Sequence, residues 1–203
     1  CFLINTLRQT GIDGTDARQL SRAMIDGRAD CFTLLQLMQR YFPGFANAQM
    51  RQIADTVGVR ETRRIAGDFV LTVKDIGEEK HFDDVIGFSG YAWDLPDPER
   101  PSHQPMEGKK LVDLIPIPYR VMVPQKVDNL LVAGRSISVE RDVLGPLRVM
   151  APCMVTGQAA GTAAALAIDQ NCGSGSLPTG LLRDHLRAAG QVVDRPQTVG
   201  KGV

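Results

Sequence analysis

Residues 129–167 read NLLVAGRSISVERDVLGPLRVMAPCMVTGQAAGTAAALA. The stretch opens with a short apolar run, residues 129–134, which ends in glycine and predicts a buried strand of a parallel sheet. A polar loop follows, and then a helix is predicted over about 152–169. A strand, a loop and a helix in this order can hold a nucleotide-like cofactor at the carboxyl edge of an α/β sheet.

The predicted helix begins without an obvious capping side chain. Pro152 suits the first helical position, and the preceding residues 148–151, RVMA, carry no short side-chain oxygen. The first backbone N–H groups should therefore be open, with the positive end of the helix dipole behind them. Such a start can receive an anionic or carbonyl group of a ligand. A start at Thr156, with its own hydroxyl as the cap, is the alternative.

Small residues fill the interior of this helix. Gly157 and Gly161 are four positions apart, as are Ala160 and Ala164, so they form a stripe with little side chain. Each glycine costs about 1 kcal/mol of helix propensity relative to alanine. The stripe would admit a flat ring or another backbone, but close packing of a helix on a sheet would explain it equally well.

The composition narrows the range of functions. The chain has 203 residues, of which 43% are hydrophobic. Its 23 basic side chains balance 23 acidic ones, and it has no long basic run. This charge balance gives no electrostatic reason to expect binding to nucleic acid or to an anionic membrane. Residues 151–168 come nearest to a membrane span, but we predict none, because alanine and glycine dominate there. The four cysteines lack the spacing of a metal site, and we predict a cytoplasmic protein.

Periodicity and turn residues predict further elements along the chain. Helices are predicted over 14–27, 30–42, 46–58 and 179–190, a strand over 60–76, and an extended segment over 114–125. Thr15, Asp30 and Thr179 are the predicted caps of three helices, and Gly27 is the predicted stop of the first. These elements indicate an α/β fold.

Long ordered segments of the sequence resemble a known family. IPYRVMVPQKVDNLLVAGRSIS (117–138) and LGPLRVMAPCMVTGQAAGTAAALA (144–167) are similar to the C-terminal portion of FAD-dependent oxidoreductases with a glutathione-reductase-type flavin fold. GVRETRRIAGDFVLTVKDI (58–76) and HFDDVIGFSGYAWDLPD (81–97) look like the middle region of the same family. The similarity covers most of residues 44–170.

The resemblance implies FAD as cofactor and suggests which residues contact it. Gly134, Arg135 and Ser136 would meet the ribityl chain or the pyrophosphate, where many relatives place an acidic residue at the position of Arg135. Met150, Ala151 and Cys153 would offer backbone near the flavin ring. The remaining candidates for the cofactor are Arg148, which could instead reach a nearby carboxylate, and Gly157. For Arg135, a salt bridge to Asp142 or Glu140 is as plausible as a phosphate contact.

Substrate-side candidates follow from charge and position. Arg60, Arg63 and Arg64 would bind a substrate carboxylate or the flavin edge, or would form ion pairs at a domain interface. Tyr119 and Arg120 lie between stiff prolines in a segment that the resemblance places near the active site. His103, in a proline-rich loop, is the best candidate for proton transfer.

One motif of the family is missing from the sequence. No strand followed by G-x-G-x-x-G, which would bind the ADP half of FAD, occurs in residues 1–203. We therefore predict the C-terminal part of a two-domain FAD-binding oxidoreductase fold. A helical and β substrate-side region (1–110) would precede the returning strand and helix of the flavin domain (111–170) and a tail (171–203).

These features lead to two hypotheses about function. In the first, hydride passes between a small-molecule substrate and the flavin, and the nucleotide-binding half is supplied in the same protein or by a separate chain. In the second, the chain is a non-catalytic subunit or relic that acts as an interaction module without cofactor.

Overall fold

The computed structural model describes residues 1–94 and 114–196. The chain divides into two compact units, Cys1–Thr62 and Arg63–Val203. The boundary between the compact units follows Thr62. The substrate-side region predicted from the sequence extends further, to residue 110, and its functional role stays a prediction.

The first unit is built on one long helix, α1 (Ala17–Tyr41). Asp16 caps it by accepting a hydrogen bond from the N–H of Arg18 at 2.8 Å. The prediction of two helices separated at Gly27, with Thr15 and Asp30 as caps, is wrong. Gly27 lies inside α1, where a single glycine costs only about 1 kcal/mol, and the carboxylate of Asp30 accepts from Gln9 instead of capping.

The third predicted helix, over 46–58, is also absent, since these residues form turns and irregular chain. The Ala48 N–H donates to the carbonyl of Phe45, and the Ala48 carbonyl accepts from the side chain of Gln39. Ala23 is the one buried residue among the described residues of this unit. The apolar periodicity of 46–58 therefore had no core on which a helix could bury one face.

The second unit contains a two-stranded antiparallel sheet and four helices among its described residues. The strands are β1 (Val85–Ser89) and β2 (Ile115–Pro118), with a bulge between Val85 and Gly87. The helices are α2 (Val73–Gly77), α3 (Arg141–Leu147), α4 (Met150–Asp169) and α5 (Thr179–Ala188). Single turns of 3-10 helix cover Tyr119–Met122, Gly134–Ser136 and Ser174–Ser176. Helices with a small sheet are compatible with the predicted α/β class.

The core of this unit lies where α4 and α5 cover the sheet. Buried side chains come from the strands and from the inner faces of both helices: Ile86, Ile115, Ile117, Ala159, Ala163, Leu166, Leu182 and Leu186. Gly87 permits the close approach of α4, because a Cβ on Gly87 would lie 2.6 Å from Cγ1 of Val155. The two predicted C-terminal helices, α4 and α5, are thus confirmed, although no side chain caps α5 and Thr179 is its first residue.

The strand predicted over 60–76 is wrong. Leu71 and Gly67 form only isolated bridges, to Val139 and Pro124, and the chain then turns into α2. Thr72 and Asp75 form a reciprocal capping box at the start of α2. This local helix signal outweighs the alternation of apolar residues that favoured a strand.

The buried parallel strand predicted over 129–134 is not formed either. Val132 donates one backbone hydrogen bond to the carbonyl of Met122 at 2.9 Å, and the Leu130 side chain is 42% exposed. A buried parallel strand needs a paired neighbour and covered faces. Among the described residues, the bond to Met122 is the one backbone–backbone hydrogen bond of this segment outside the Gly134–Ser136 turn.

Candidate functional site

Helix α4 starts with open backbone donors, as the sequence predicted. It begins at Met150 after Val149, and no side chain within residues 1–94 or 114–196 caps it by a hydrogen bond. The first intrahelical bond runs from the Cys153 N–H to the carbonyl of Val149 at 3.1 Å, so the N–H groups of Met150 and Ala151 precede the helical ladder. The side chain of Met150 is 83% exposed, and Ala151 is exposed as well. The alternative start at Thr156 is wrong.

The turn Gly134–Ser136, which we call the Gly134 turn, lies directly against the first two turns of α4. Gly134 has a φ of 73°, a conformation that favours glycine. Its N–H donates to Oγ1 of Thr156 at 2.9 Å. A Cβ on Gly134 would lie 3.7 Å from Sγ of Cys153. The fold therefore brings together Gly134 and Cys153, two residues that sequence similarity had assigned to the same cofactor.

Cys153 is a half-buried thiol between this turn and the start of α4. Its Sγ donates to the carbonyl of Arg148 at 3.3 Å. Burial raises the pKa of the Cys153 thiol, and the charge of Arg135 offsets part of that shift. Cys153 is therefore a protonated, neutral group at neutral pH, and it adds no negative charge to the helix start.

The outer face of α4 is small and uncovered by the described residues. Gly157 and Gly161 are exposed, and a Cβ on either would meet no described atom within 4 Å. The larger apolar residues of the same face, Met150, Met154 and Ile168, are also exposed. Packing of α4 on β1 therefore does not explain the glycines, because that contact uses the opposite face.

Helix α4 is also, by length and composition alone, apolar enough to cross a membrane, and it is the one such helix among the described residues. Residues 151–168, the stretch that came nearest to a membrane span in the sequence, lie within this helix. A core helix of a soluble protein passes the same test, and α4 packs its inner face on β1 and α5. The absence of a membrane role stays a prediction.

Arg148 connects the start of α4 to the residues that follow β1. Its Nη2 donates to the carbonyl of Asp94 at 2.6 Å and lies 3.3 Å from the Asp94 carboxylate. Ser89 makes a parallel connection, since its hydroxyl donates to the carbonyl of Pro146 at 2.7 Å. Of the two roles weighed for Arg148, the contact with a nearby carboxylate is the one that the structure contains.

Tyr119 and Arg120, the predicted catalytic pair, have structural partners. Tyr119 is 3% exposed, and its hydroxyl donates to the carbonyl of Ser174 at 2.8 Å. The Arg120 guanidinium makes hydrogen bonds of 2.8 and 2.9 Å to both oxygens of Asp84 and one of 2.6 Å to Asp83. These contacts favour support of the sheet over contact with a substrate.

Burial makes Tyr119 a source of alkaline instability. It raises the pKa of Tyr119 to about 12, with a smaller contribution from Cys172. Because the folded pKa lies above the unfolded value of about 10, the free energy of unfolding should fall between pH 10 and pH 12, by about 2–3 kcal/mol. Urea unfolding at several pH values would measure this fall. Tyr119→Phe should abolish it, whereas the matched change Tyr91→Phe, at an exposed tyrosine, should leave it in place.

The substrate-side role of the other predicted site residues stays a prediction. The strand predicted to carry Arg60, Arg63 and Arg64 is not formed, and Arg60 belongs to the first unit while Arg63 and Arg64 belong to the second. His103 lies outside the described residues. Among the described residues, no group of three His, Cys, Asp or Glu side chains could hold a metal ion.

Sequence reasoning missed Thr156 as a contact of the Gly134 turn, and it missed a second support formed by Gly67 and Ser138. The Gly67 N–H donates to Oγ of Ser138 at 3.1 Å, and the Ile65 N–H donates to the carbonyl of Ser136 at 2.9 Å. A lone threonine in a run of alanine and glycine was the available signal for Thr156. No local pattern connects Gly67 with Ser138.

An uncapped helix start beside a glycine turn is an arrangement that can receive an anionic or carbonyl group of a cofactor. The model of the FAD dependent oxidoreductase family matches residues 2–186, and the chain belongs to this family. No curated protein and no solved structure matches the chain.

Proposed function

We propose that this chain is the flavin-contacting C-terminal portion of an FAD-dependent oxidoreductase with a glutathione-reductase-type fold. The observation that carries the proposal is the open start of α4 beside the Gly134 turn. When bound, FAD would supply the redox chemistry by exchanging a hydride with a small-molecule substrate at N5. The residues of this chain would bind and orient the flavin.

The available groups fit a flavin. The N–H groups of Met150 and Ala151 are the kind of donors that suit the carbonyl oxygens of the pyrimidine edge. That edge gathers negative charge on reduction, and a helix start stabilises a nearby negative charge by about 0.3–2 kcal/mol. The neutral thiol of Cys153 does not oppose this effect. The start of α4 would therefore favour the reduced flavin.

The Gly134 turn would serve the ribityl chain and the pyrophosphate. We propose that Gly134 and Ser136 contact the ribityl chain and that Arg135 contacts the pyrophosphate, because a guanidinium donates to phosphate oxygens but cannot accept from a hydroxyl. Gly157 would leave room for the ring or for another backbone on the outer face of α4. Arg148 would act at a distance, by fixing Asp94 near the start of that helix.

The ADP half of FAD needs a site that residues 1–203 do not encode by sequence. We propose that a nucleotide-binding half with G-x-G-x-x-G supplies it, in the same protein or as a separate cytoplasmic chain. The uncovered outer face of α4 supports this proposal, since its small residues would let a backbone approach closely.

Bound flavin is the direct test of this function. We expect the purified 203-residue chain to show flavin absorbance after addition of FAD, and to retain more of it when the adjoining coding region is expressed as well. A protein that stays colourless in both forms would contradict the proposal and favour a non-catalytic interaction module.

Arg135→Ala tests the assignment within the site. Loss of a charge-assisted contact to phosphate should weaken FAD binding about tenfold or more, measured by titration of flavin fluorescence. FMN has one phosphate in place of the pyrophosphate, so its affinity should fall less. Unchanged FAD affinity would rule out the phosphate contact while leaving the flavin assignment intact.

A further inference from the structure

Thr156 connects the two parts of the proposed flavin site. Its side chain is buried, with 1% of the residue exposed. Its hydroxyl lies 3.1 Å from the carbonyl of Pro152 and 3.0 Å from that of Cys153, so its single proton is donated to α4 itself. Its lone pairs then accept the N–H of Gly134 at 2.9 Å. A continuous chain of hydrogen bonds therefore runs from the first turn of α4 to the Gly134 turn.

This connection holds the near end of the Gly134 turn against α4. The far end of the turn is tied elsewhere, because the carbonyl of Ser136 accepts from the Ile65 N–H at 2.9 Å. The near end, Gly134, is tied to α4 by the threonine hydroxyl. Threonine inside a helix is favoured neither by propensity nor by the alanine and glycine around it. The hydroxyl thus has a role that valine, which has the same shape, could not fill.

From this geometry we propose that Thr156 is a positioning residue for the flavin. It fixes the Gly134 turn relative to the open N–H groups of Met150 and Ala151, and so sets the distance between the ribityl contacts and the ring contacts. The proposal rests on the proposed function, because it concerns the same site. It assigns a role to a residue that would not itself touch the cofactor.

The experiment compares Thr156→Val with Thr156→Ser and with a matched control. Thr156→Val keeps the shape and removes the hydroxyl, and Thr156→Ser keeps the hydroxyl. Thr162→Val is the control, since it makes the same change at a half-buried threonine further along α4. All variants are made in the native gene product that contains these 203 residues.

Three measurements are needed: amide hydrogen exchange at Gly134, FAD affinity by titration, and the midpoint potential of the bound flavin. We expect Thr156→Val to raise exchange at Gly134 about tenfold, to weaken FAD binding about tenfold and to shift the potential. Thr156→Ser should restore most of each property. Thr162→Val should resemble the wild type in all three.

The outcomes separate the two proposals. If Thr156→Val binds FAD with the wild-type affinity and potential, the positioning role is wrong and the flavin assignment stands. An equal loss in Thr162→Val would also overturn it, since the effect would then be one of general stability. If the wild-type gene product binds no FAD, the proposed function fails and the positioning role fails with it.

Discussion

Replacing Gly67 with alanine should lower the free energy of unfolding of the second unit by about 3 kcal/mol. The added Cβ would lie 2.9 Å from Cβ of Ser138 and 2.9 Å from the carbonyl oxygen of Val123. One of these neighbours is backbone and the other is a short side chain, so neither can rotate away. The backbone around Gly67 would have to move away from Ser138, which lies just after the Gly134 turn. Urea unfolding followed by circular dichroism would measure the loss.

Gly161→Ala is the matched control for this prediction. The same methyl group on the outer face of α4 would meet no described atom within 4 Å. Alanine should therefore stabilise the isolated chain by up to about 1 kcal/mol, through helix propensity alone. Equal effects of the two substitutions would show that Gly67 is not in close contact with Ser138 and Val123.

Replacing Arg120 with alanine should lower the free energy of unfolding by about 2–3 kcal/mol. Asp84 is 2% exposed, and the substitution would leave its carboxylate with one hydrogen bond from the described chain, donated by the backbone N–H of residue 120 at 3.0 Å. Removing one partner of a fully buried ion pair costs about 3–5 kcal/mol, and we expect a value at or just below the lower end of that range because the Arg120 side chain is 45% exposed to water. Chemical denaturation at neutral pH would measure the change.

Lys74→Ala provides the comparison, because Lys74 and Glu78 form an exposed ion pair at 3.9 Å in the same unit. Loss of this ion pair should change the free energy of unfolding by less than about 0.5 kcal/mol. The pair of variants also tests the catalytic role that the sequence suggested for Arg120. A loss of activity in Arg120→Ala with unchanged stability would support that role.

The two parts of the proposed flavin site differed in how far the sequence could predict them. The open start of α4 follows from residues 148–151, none of which can cap a helix with a short side-chain oxygen. The outward position of Gly157 is likewise a matter of helical spacing. The contact between Gly134 and Thr156 joins positions 22 residues apart, and that between Gly67 and Ser138 joins positions 71 apart. Neither contact has a local signature.

The incorrect strand predictions share one physical cause. Residues 129–134 and 60–76 carry the apolar residues of strands, but a strand exists only where a neighbour completes its hydrogen bonds. Val132 finds one such bond, and Leu71 and Gly67 find isolated bridges. Apolar composition indicates that a segment can be buried, but it does not indicate whether a partner strand is present.

The catalytic role suggested for Tyr119 and Arg120 stays a prediction, but the sequence could not show the structural partners of either side chain. The extended segment predicted over 114–125 forms a strand only at Ile115–Pro118, because the next residues, Tyr119–Met122, make a turn of 3-10 helix. The sequence contains no sign that Arg120 pairs with Asp84, because the two residues are 36 positions apart. A charged residue in an ordered segment is equally consistent with a site and with a structural ion pair.

The sequence by itself determined the helices α4 and α5, the uncapped start of α4 and the small residues along its outer face, because helix boundaries and helix faces depend on residues within a few positions of one another. The tertiary structure alone decided that the Gly134 turn lies against α4 and that the partner of Arg120 is Asp84. Each of these depends on a contact between residues far apart in the sequence, which only the folded chain brings together, whereas local sequence patterns report only on neighbouring positions.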